Sequence, residues 1–458
     1  MQPKLYTLPQ KITFPGVMQV GAHGTIQIGF AGNNALKTRY TCNIMNLLWI
    51  SQNIPYPPKT GVLQRNYNLL REASKHANVY LLAIFKRDIL PGEYNLDEAR
   101  HELGKLCRRI EVVHLPIESA RALLYWKALS SLFTKDPLSV NWVKSAHMRK
   151  KLLELMNGAK IDLVHFDTIS LAAYRQDVGN TPKILNHHNI ESHLLKRRTQ
   201  FEKNPLKRLY YALEGEKLEK YERAACAEFD TNFTVSALDR ERLLQLVPGA
   251  RGDVIANGVD IEYFNPGGQP TTPGNILMAS GMNWFPNRDA ALYMCNEIWP
   301  LLIKQMPDLS WTVVGASPPQ QVLDLAKTDA RVKVTGFVND VRPYLAEAEI
   351  YLCPMRDGGG TRVKILDALA MGKAIVATSM GCEGIDVTPG KNVLIANTPQ
   401  EFVEQIRRLH TDPALRQSLG QEARKLAIDS YSWPVIGRNL SAVYQRLLNA
   451  DGLTRRHP

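Results

Sequence analysis

The sequence predicts an α/β protein of two doubly wound, Rossmann-like domains in tandem that face a central cleft. Three observations predict it. Short apolar runs alternate with longer stretches of helical spacing, as in parallel sheets layered between helices. The alternation stops at a Pro/Gly/Thr-rich linker, EYFNPGGQPTTPGN at 262–275, and then restarts. And 458 residues are too many for one ordinary domain.

The elements follow in order. Residues 1–44 carry many Gly, Thr, Gln, Pro and Asn and show no clear strand or helix period. They read either as a genuine extension or as translated sequence upstream of a native start at Met45. Residues 47–50 read as the first buried strand. A Pro-rich turn, IPYPPKTG, leads into helical spacing over 62–77, with Leu63, Tyr67 and Leu70 on one side. Strands at 79–85, 110–114, 161–166, 183–187 and 229–235 complete an N-terminal domain over 45–261. After the linker, strands at 276–279, 311–314, 332–335, 350–353, 374–377 and 393–395 build a C-terminal domain over 276–431. A helix over 432–449 closes the chain, with a tail at 450–458. Doubly wound sheets bind ligands at the carboxyl ends of their strands, so the cleft between two of them is the expected site.

Composition narrows the function classes. With 45% hydrophobic and 22% charged residues, the chain is neither disordered, collagenous nor a disulfide scaffold. Cys42, Cys107, Cys226, Cys295, Cys353 and Cys382 are scattered, with no CxxC pair, which argues against a zinc or redox knuckle and for a reducing compartment. No apolar run reaches membrane-spanning length, and Pro and polar residues interrupt any signal-peptide core. A cytoplasmic protein is expected. The net charge is +12, and all of the excess lies in residues 1–250; residues 251–458 carry as many acids as cations. One basic half implies an anionic partner met on one side.

The richest local motif is MRDGGGTRVKILDALAM at 355–371. A strand ends at Pro354, Gly358, Gly359 and Gly360 follow, and Thr361 stands where a helix N-cap is expected. Glycines let backbone approach a ligand, and a helix N-terminus offers free N–H groups and a positive dipole end. Arg362 and Lys364 add cations, which together suit a diphosphate. Gly360, Lys364 and Asp367 fall on one helix face, so phosphates could be met first and hydroxyls next. The spacing alone also allows, as the lesser reading, a tight strand–helix turn with a solvated Lys364–Asp367 pair.

This segment, continued as KILDALAMGKAIVATSMGCEGI, resembles the donor-binding segment of retaining family-4 glycosyltransferases (glycosyl transferases group 1), which have the GT-B fold. Other pieces resemble the same family in the same order: PYPPKTGVLQRNYNLL, NHHNIESHLLKRR, FTVSALDRERL, IANGVDIEYFNP, ASGMNWFPNRDAALYMCNEIWPLL, GFVNDVRPYLAEAEIYLCP and SWPVIGRNLSAVYQRLL. The resemblance covers about residues 46–449. It implies transfer of a sugar from a nucleotide-diphosphate donor, itself a substrate and not a cofactor, to a glycan or lipid-linked acceptor in cell-surface polysaccharide or glycolipid synthesis. It implies retention by a front-face route and no metal, in keeping with the lack of a DxD triplet.

The resemblance also implies roles. Gly61, Gly281, Asn287, Gly358, Gly359, Gly360, Thr361, Asp367 and Glu383 fall on the donor side, with Asp367 on the ribose hydroxyls. Arg362, Lys364 and His188 are the candidate catalytic residues, and His187 and Glu191 belong to the acceptor pocket. Two positions depart from the family. Its first acidic residue is replaced by Gly359, with Asp357 a possible substitute two residues away. Asn287 stands near an expected Lys, with Arg288 beside it, so Arg362 and Lys364 are expected to carry the diphosphate charge instead.

Residues 121–151 interleave Trp126, Phe133 and Trp142 with Lys127, Lys135, Lys144, Arg149, Lys150 and Lys151; Lys196, Arg197, Arg198, Lys203, Lys207 and Arg208 add a second basic stretch. Aromatic and basic residues together suit an anionic membrane surface, so peripheral attachment on the inner face of the cytoplasmic membrane is expected. A solvated basic face over ordinary core aromatics remains the plain alternative. No nucleic-acid signature supports a nucleic-acid partner. A GT-B-like sugar-nucleotide epimerase and a catalytically degenerate binding relative stay open as alternatives.

Overall fold

The computed structural model describes residues 18–21, 25–28, 44–85, 95–115, 130–131, 133–268 and 270–454. The chain divides into two compact units, Met1–Met45 and Asn46–Pro458. The first contains an antiparallel pair, β1 (Met18–Gly21) with β2 (Thr25–Ile28). This corrects the expectation of no strand period in 1–44. Apolar and polar residues do alternate in MQVG and TIQI, but over too few positions to stand out.

The second unit carries two sheets. One comprises β3 (Met45–Ser51), β4 (Ala77–Phe85), β5 (Cys107–His114), β6 (Leu163–Phe166), β7 (Lys183–Asn186), β8 (Thr231–Thr234) and β9 (Gly252–Val254), in the order β5-β4-β3-β6-β7-β8-β9. The other comprises β10 (Asn275–Ala279), β11 (Ser310–Val314), β12 (Val332–Gly336), β13 (Ile350–Cys353), β14 (Ala374–Ala377) and β15 (Leu394–Ile395), in the order β12-β11-β10-β13-β14-β15, with every pairing parallel. The inner strands β3, β10, β13 and β14 form where the sequence has nearly unbroken apolar runs, because strands covered by helices on both faces have no solvent side. Leu47, Leu48, Trp49 and Ile50 of β3 and Ile276 and Leu277 of β10 are fully buried. The polar GDV of β9 has no such run and was not foreseen.

Each sheet starts in its middle, runs out to one edge and then returns to build the other. The direction reverses between β3 and β6 and between β10 and β13. At such a reversal the flanking connections leave on opposite sides of the sheet and open a crevice at the strands' carboxyl ends.

The chain segment joining the domains is gripped from both sides. Arg65, fully buried on the helix Gly61–Ser74, donates to the Ile255 and Ala256 carbonyls at 2.7 and 2.8 Å and to Asn257 and Asn186 Oδ1, each at 3.0 Å. From the C-terminal domain, Arg424 donates to the Ile261 and Phe264 carbonyls at 2.9 and 2.6 Å. The closing helix runs Trp433–Thr454, five residues past the expected end, and packs along Gly61–Ser74. Its buried Trp433 lies so close to Gly258 that a Cβ there would be 2.7 Å from the indole ring. Tyr444 of the same helix meets His165 Nδ1 at 3.0 Å inside the N-terminal core. Truncating one buried tryptophan of this kind typically costs about 3–5 kcal/mol, so the helix is a firm tie between the domains.

Candidate active site

The two crevices face each other. On the C-terminal side, β13 ends in the glycine turn and the helix Val363–Ala370 follows. Gly358 and Gly360 have φ of +130° and +67°, values that side chains disfavour. A Cβ on Gly358 would also lie 2.9 Å from Arg362 Nη2 and 3.2 Å from the Trp284 ring. Arg362 explains the turn's shape. The residue is 3% exposed, and its guanidinium donates back to the Gly359 and Gly360 carbonyls. The expected diphosphate role of Arg362 is narrowed: its Nη1 is engaged by backbone carbonyls and braces the turn, while Nη2 has only a 3.7 Å contact with the Met380 sulfur. Thr361 is corrected. The N-cap is Arg362, without a capping side-chain bond, and the Thr361 hydroxyl donates instead to the Val235 carbonyl of the N-terminal domain at 3.3 Å. The helix thus begins with no side chain on its first N–H groups, open to an anion.

Lys364 and Asp367 lie on this helix, both half-buried, and they do not pair with each other. Lys364 Nζ donates to Asn287 Oδ1, whose Nδ2 is held by the Gly281 carbonyl at 2.7 Å. This chain bridges β10 and β13 across the reversal point, and it assigns Gly281 and Asn287 to the same site. Burial pushes the Lys364 ammonium down to about 8. Asp367 Oδ1 is buried without a partner, and burial pushes its carboxyl up to about 8. An ammonium and a carboxyl held apart and desolvated are costly in an empty protein, and both are relieved by a ligand carrying phosphate and hydroxyls.

A pH dependence follows. An unfolded aspartate loses its proton near pH 4. Between about pH 4 and 8 the folded protein holds the Asp367 proton that the unfolded chain has released, so stability falls as pH rises through that window. Lys364 acts in the opposite sense at higher pH, where stability recovers between about pH 8 and 10 as the folded state sheds its proton first. Since the Asp367 side chain keeps partial access to solvent, the window is expected to be narrower than a shift to about 8 implies, with a slope of at most about 1.4 kcal/mol per pH unit inside it. Thermal melts from pH 5 to 8 should therefore be flatter for Asp367→Asn than for the wild type. Identical slopes would show that the carboxyl is not dry.

On the N-terminal side, Asp167 and His188 lie just past the ends of β6 and β7. His188 Nε2 lies 3.1 Å from Asp167 Oδ1. Fully buried Asp167 also accepts from Asn66 Nδ2 at 2.5 Å and Asn186 Nδ2 at 3.2 Å. Burial alone would raise its carboxyl, but His188 and Asn66 hold it below the usual aspartate range. The result is a fixed imidazole at the cleft, oriented by an ionised acid. His187 is corrected: it is 2% exposed, contacts Asn232 Oδ1 at 3.3 Å, and burial pushes it down to about 4, so it is a core residue away from the acceptor side. Glu191 starts the helix Glu191–Phe201, half-buried, with burial raising its carboxyl near His188. Gly61 opens the helix Gly61–Ser74 behind its cap Thr60, and a Cβ there would sit 3.9 Å from Val363 across the cleft.

The two sides touch at the glycine turn. A Cβ on Gly359 would lie 3.1 Å from both Asn189 Oδ1 and Leu194 Cδ1; on Gly360 it would be 2.6 Å from Asn189 Oδ1 and 3.0 Å from the His188 carbonyl. The N-terminal loop thus fills the space that an acidic side chain at 359 would need. Asp357 is no free substitute for that acid, because Arg197 Nη2 holds it at 2.7 Å while Nη1 donates to the Gly358 carbonyl at 2.7 Å. Glu383 Oε1 accepts from Arg242 at 2.5 Å, so it takes part in the domain contact, while its buried Oε2 has no hydrogen-bond partner and lies 3.9 Å from Arg197. Arg288 is exposed. Sequence reasoning missed Asp167, Asn189, Arg197 and Arg242. Only Asp167 left a signal, an acid directly after the buried run LVHF.

Comparison with known proteins gives consistent findings. A family model described as Glycosyl transferases group 1 matches residues 273–412, and one described as Glycosyltransferase Family 4 matches residues 131–263. The chain is 22% identical over 377 residues to an uncharacterized 44.6 kDa protein in the cps region of Klebsiella pneumoniae, spanning 79% of this chain and 89% of that one. It is 26% identical over 215 residues to a GDP-mannose-dependent monoacylated alpha-(1-6)-phosphatidylinositol monomannoside mannosyltransferase of Corynebacterium glutamicum, spanning 42% of this chain and 55% of that one. In structure it is similar to a sucrose-phosphate synthase from Thermosynechococcus elongatus, with a TM-score of 0.64 and 16% identity over 89% of this chain and 100% of the other. It is also similar to HepE of Anabaena solved with UDP, with a TM-score of 0.58 and 15% identity over 88% of this chain and 100% of the other. These likenesses establish a shared two-domain GT-B fold.

Proposed function

This chain belongs to the group 1 glycosyltransferases of family 4, and from that premise we propose that it moves a sugar from a nucleoside-diphosphate donor to a glycan acceptor with retention of anomeric configuration. The observation that carries this reading is Lys364, without an acidic partner, and Asp367, with an unpartnered Oδ1, on one helix that follows the glycine turn. The diphosphate rests on the uncapped N-terminus of Val363–Ala370 and on Lys364, and Asp367 accepts from the ribose hydroxyls. In the reaction the bond from the anomeric carbon to the leaving phosphate breaks and charge builds on that oxygen. Lys364 and the helix N–H groups stabilise it where it forms. The acceptor hydroxyl bonds to the same carbon from the same face, and its proton passes to the departing phosphate. His188, fixed by Asp167, holds a sugar or acceptor hydroxyl at that point. These groups supply the charge that a divalent cation would supply, so the reaction is proposed to need none.

The acceptor is proposed to be lipid-linked and met at an anionic membrane surface on the cytoplasmic side, in polysaccharide or glycolipid synthesis. The Corynebacterium relative, named for a phosphatidylinositol mannoside substrate, supports that choice. Among the described residues no helix is long and apolar enough to cross a membrane. The test is a panel of nucleotide sugars on UDP, GDP, TDP and ADP carriers, assayed by thermal shift and by donor turnover with and without EDTA. One carrier should stabilise the protein, and EDTA should leave turnover unchanged. Silence from every carrier would sink the reading, and a product epimerised at the sugar without an acceptor would replace it.

A further inference from the structure

The basic stretches of the N-terminal domain are not one surface. Arg121, Trp126 and Lys127 lie outside the described residues. Trp142 packs half-buried against the core. Lys144 pairs with Asp136, Arg149 with Asp177, and Lys151 with Glu111 and Glu154. Lys196 pairs with Glu216 and Glu219, and Arg197 is taken up in the cleft. These six residues of the stretches first read as a membrane patch are therefore occupied.

Apart from Lys150, exposed on the helix Ala146–Gly158, and Arg198, stacked 4.6 Å from the centre of the Tyr211 ring, what remains is concentrated at one place. The helices Glu191–Phe201 and Pro205–Cys226 pack against each other as a hairpin whose bend is 202–204. The second helix buries Glu214, Gly215, Leu218 and Glu222. On its outer face Leu206, Leu209 and Leu213 are 78%, 58% and 45% exposed, at i, i+3 and i+7. Phe133, 87% exposed, is on a turn tied to the same helix, because Ser131 and Leu138 N both donate to Glu214, at 3.1 and 2.8 Å. Lys135, Lys203, Lys207 and Arg208 are all exposed around these apolar side chains and have no acidic partner among the described residues.

We infer that this hairpin tip docks the protein on an anionic lipid surface, with Leu206, Leu209 and Phe133 entering the headgroup boundary and Lys203, Lys207 and Arg208 meeting lipid phosphates. Charge selects a lipid occupant over a second copy of the chain, since the cations that rim the patch would face one another in a self-paired interface. The hairpin also explains how docking would serve transfer. The helix Glu191–Phe201 begins at the His188–Asn189 loop and ends at the tip, about 16 Å away by helix rise, a reach suited to a headgroup-linked glycan. The inference rests on the lipid-surface part of the proposed function and not on its donor chemistry.

The test is co-sedimentation of the full chain with vesicles of phosphatidylcholine alone or mixed with phosphatidylglycerol, alongside nucleoside diphosphate titration. The wild type should pellet with the mixed vesicles only, and less so as salt rises. Leu206→Asp with Leu209→Asp should lower the bound fraction about tenfold or more while nucleotide affinity is unchanged. Lys207→Glu with Arg208→Glu should act alike. A wild type that stays in solution with both vesicles, or a leucine variant that still pellets, overturns the inference. So does a variant whose only change is loss of a dimer, which would assign the face to a second copy. Loss of nucleotide binding in every protein, with vesicle binding still dependent on the leucines, would strike the donor chemistry alone.

Discussion

Lys364→Ala should lower kcat about 100- to 1000-fold, the usual loss when one fixed group is taken from a developing oxyanion. The fold should not suffer. Lys364 has no acidic partner, donates only to Asn287 Oδ1, and is pushed down to about 8 by burial. A desolvated ammonium without a counter-charge destabilises the empty protein, so its removal should leave the melting temperature unchanged or raise it. That opposition separates a catalytic role from a structural one. A variant that loses activity because it unfolds, or one that keeps kcat within about threefold, contradicts the assignment.

Gly360→Ala should cost about 100-fold in kcat with a much smaller effect on nucleotide affinity, the scale of a roughly 1 Å misplacement at a reacting centre. Its φ of +67° disfavours any side chain, and the new Cβ would meet Asn189 Oδ1 at 2.6 Å and the His188 carbonyl at 3.0 Å. The amide could swing away, but the carbonyl cannot without moving His188. The clash lies between the donor turn and the acceptor-side loop, so it should spoil their alignment more than either half alone. Asn189→Ala added to Gly360→Ala should recover only part of the rate. Measuring kcat and nucleotide affinity on both proteins checks this, and equal losses in the two quantities would place the damage in the donor pocket instead.

The strands were legible because a strand buried on both faces has to be apolar throughout. The runs around Leu47–Ile50 and Ile276–Ala279 can hardly be anything else, whereas the strand order and its reversal points came only with the structure. The glycine turn was legible because three consecutive glycines after a strand need a reason. What failed to show were relations that only the fold creates. His187 and His188 are neighbours at the end of β7, yet one points into the core and the other to the cleft, and the sequence does not fix that phase. Thr361 has a good capping side chain, but a carbonyl from the other domain competes for it. Arg197 and Asp357 are 160 residues apart, and nothing in either segment announces the pair. Gly359 in place of an acid looked like a defect; the structure gives it a steric reason in Asn189 and Leu194.

The central claim is that Lys364 and Asp367 bind the diphosphate and ribose of a nucleotide donor. The most direct measurement is calorimetric titration of the nucleoside diphosphate selected by the carrier panel into wild type, Lys364→Met and Asp367→Asn, with EDTA present throughout. The account predicts clear binding to the wild type and at least about tenfold weaker binding to each variant: Lys364→Met loses a charge-assisted contact worth roughly 1.5–3 kcal/mol, and Asp367→Asn loses the carboxylate that donor hydroxyls favour over its protonated form. Equal affinity in all three proteins would contradict it and move the donor away from the helix Val363–Ala370.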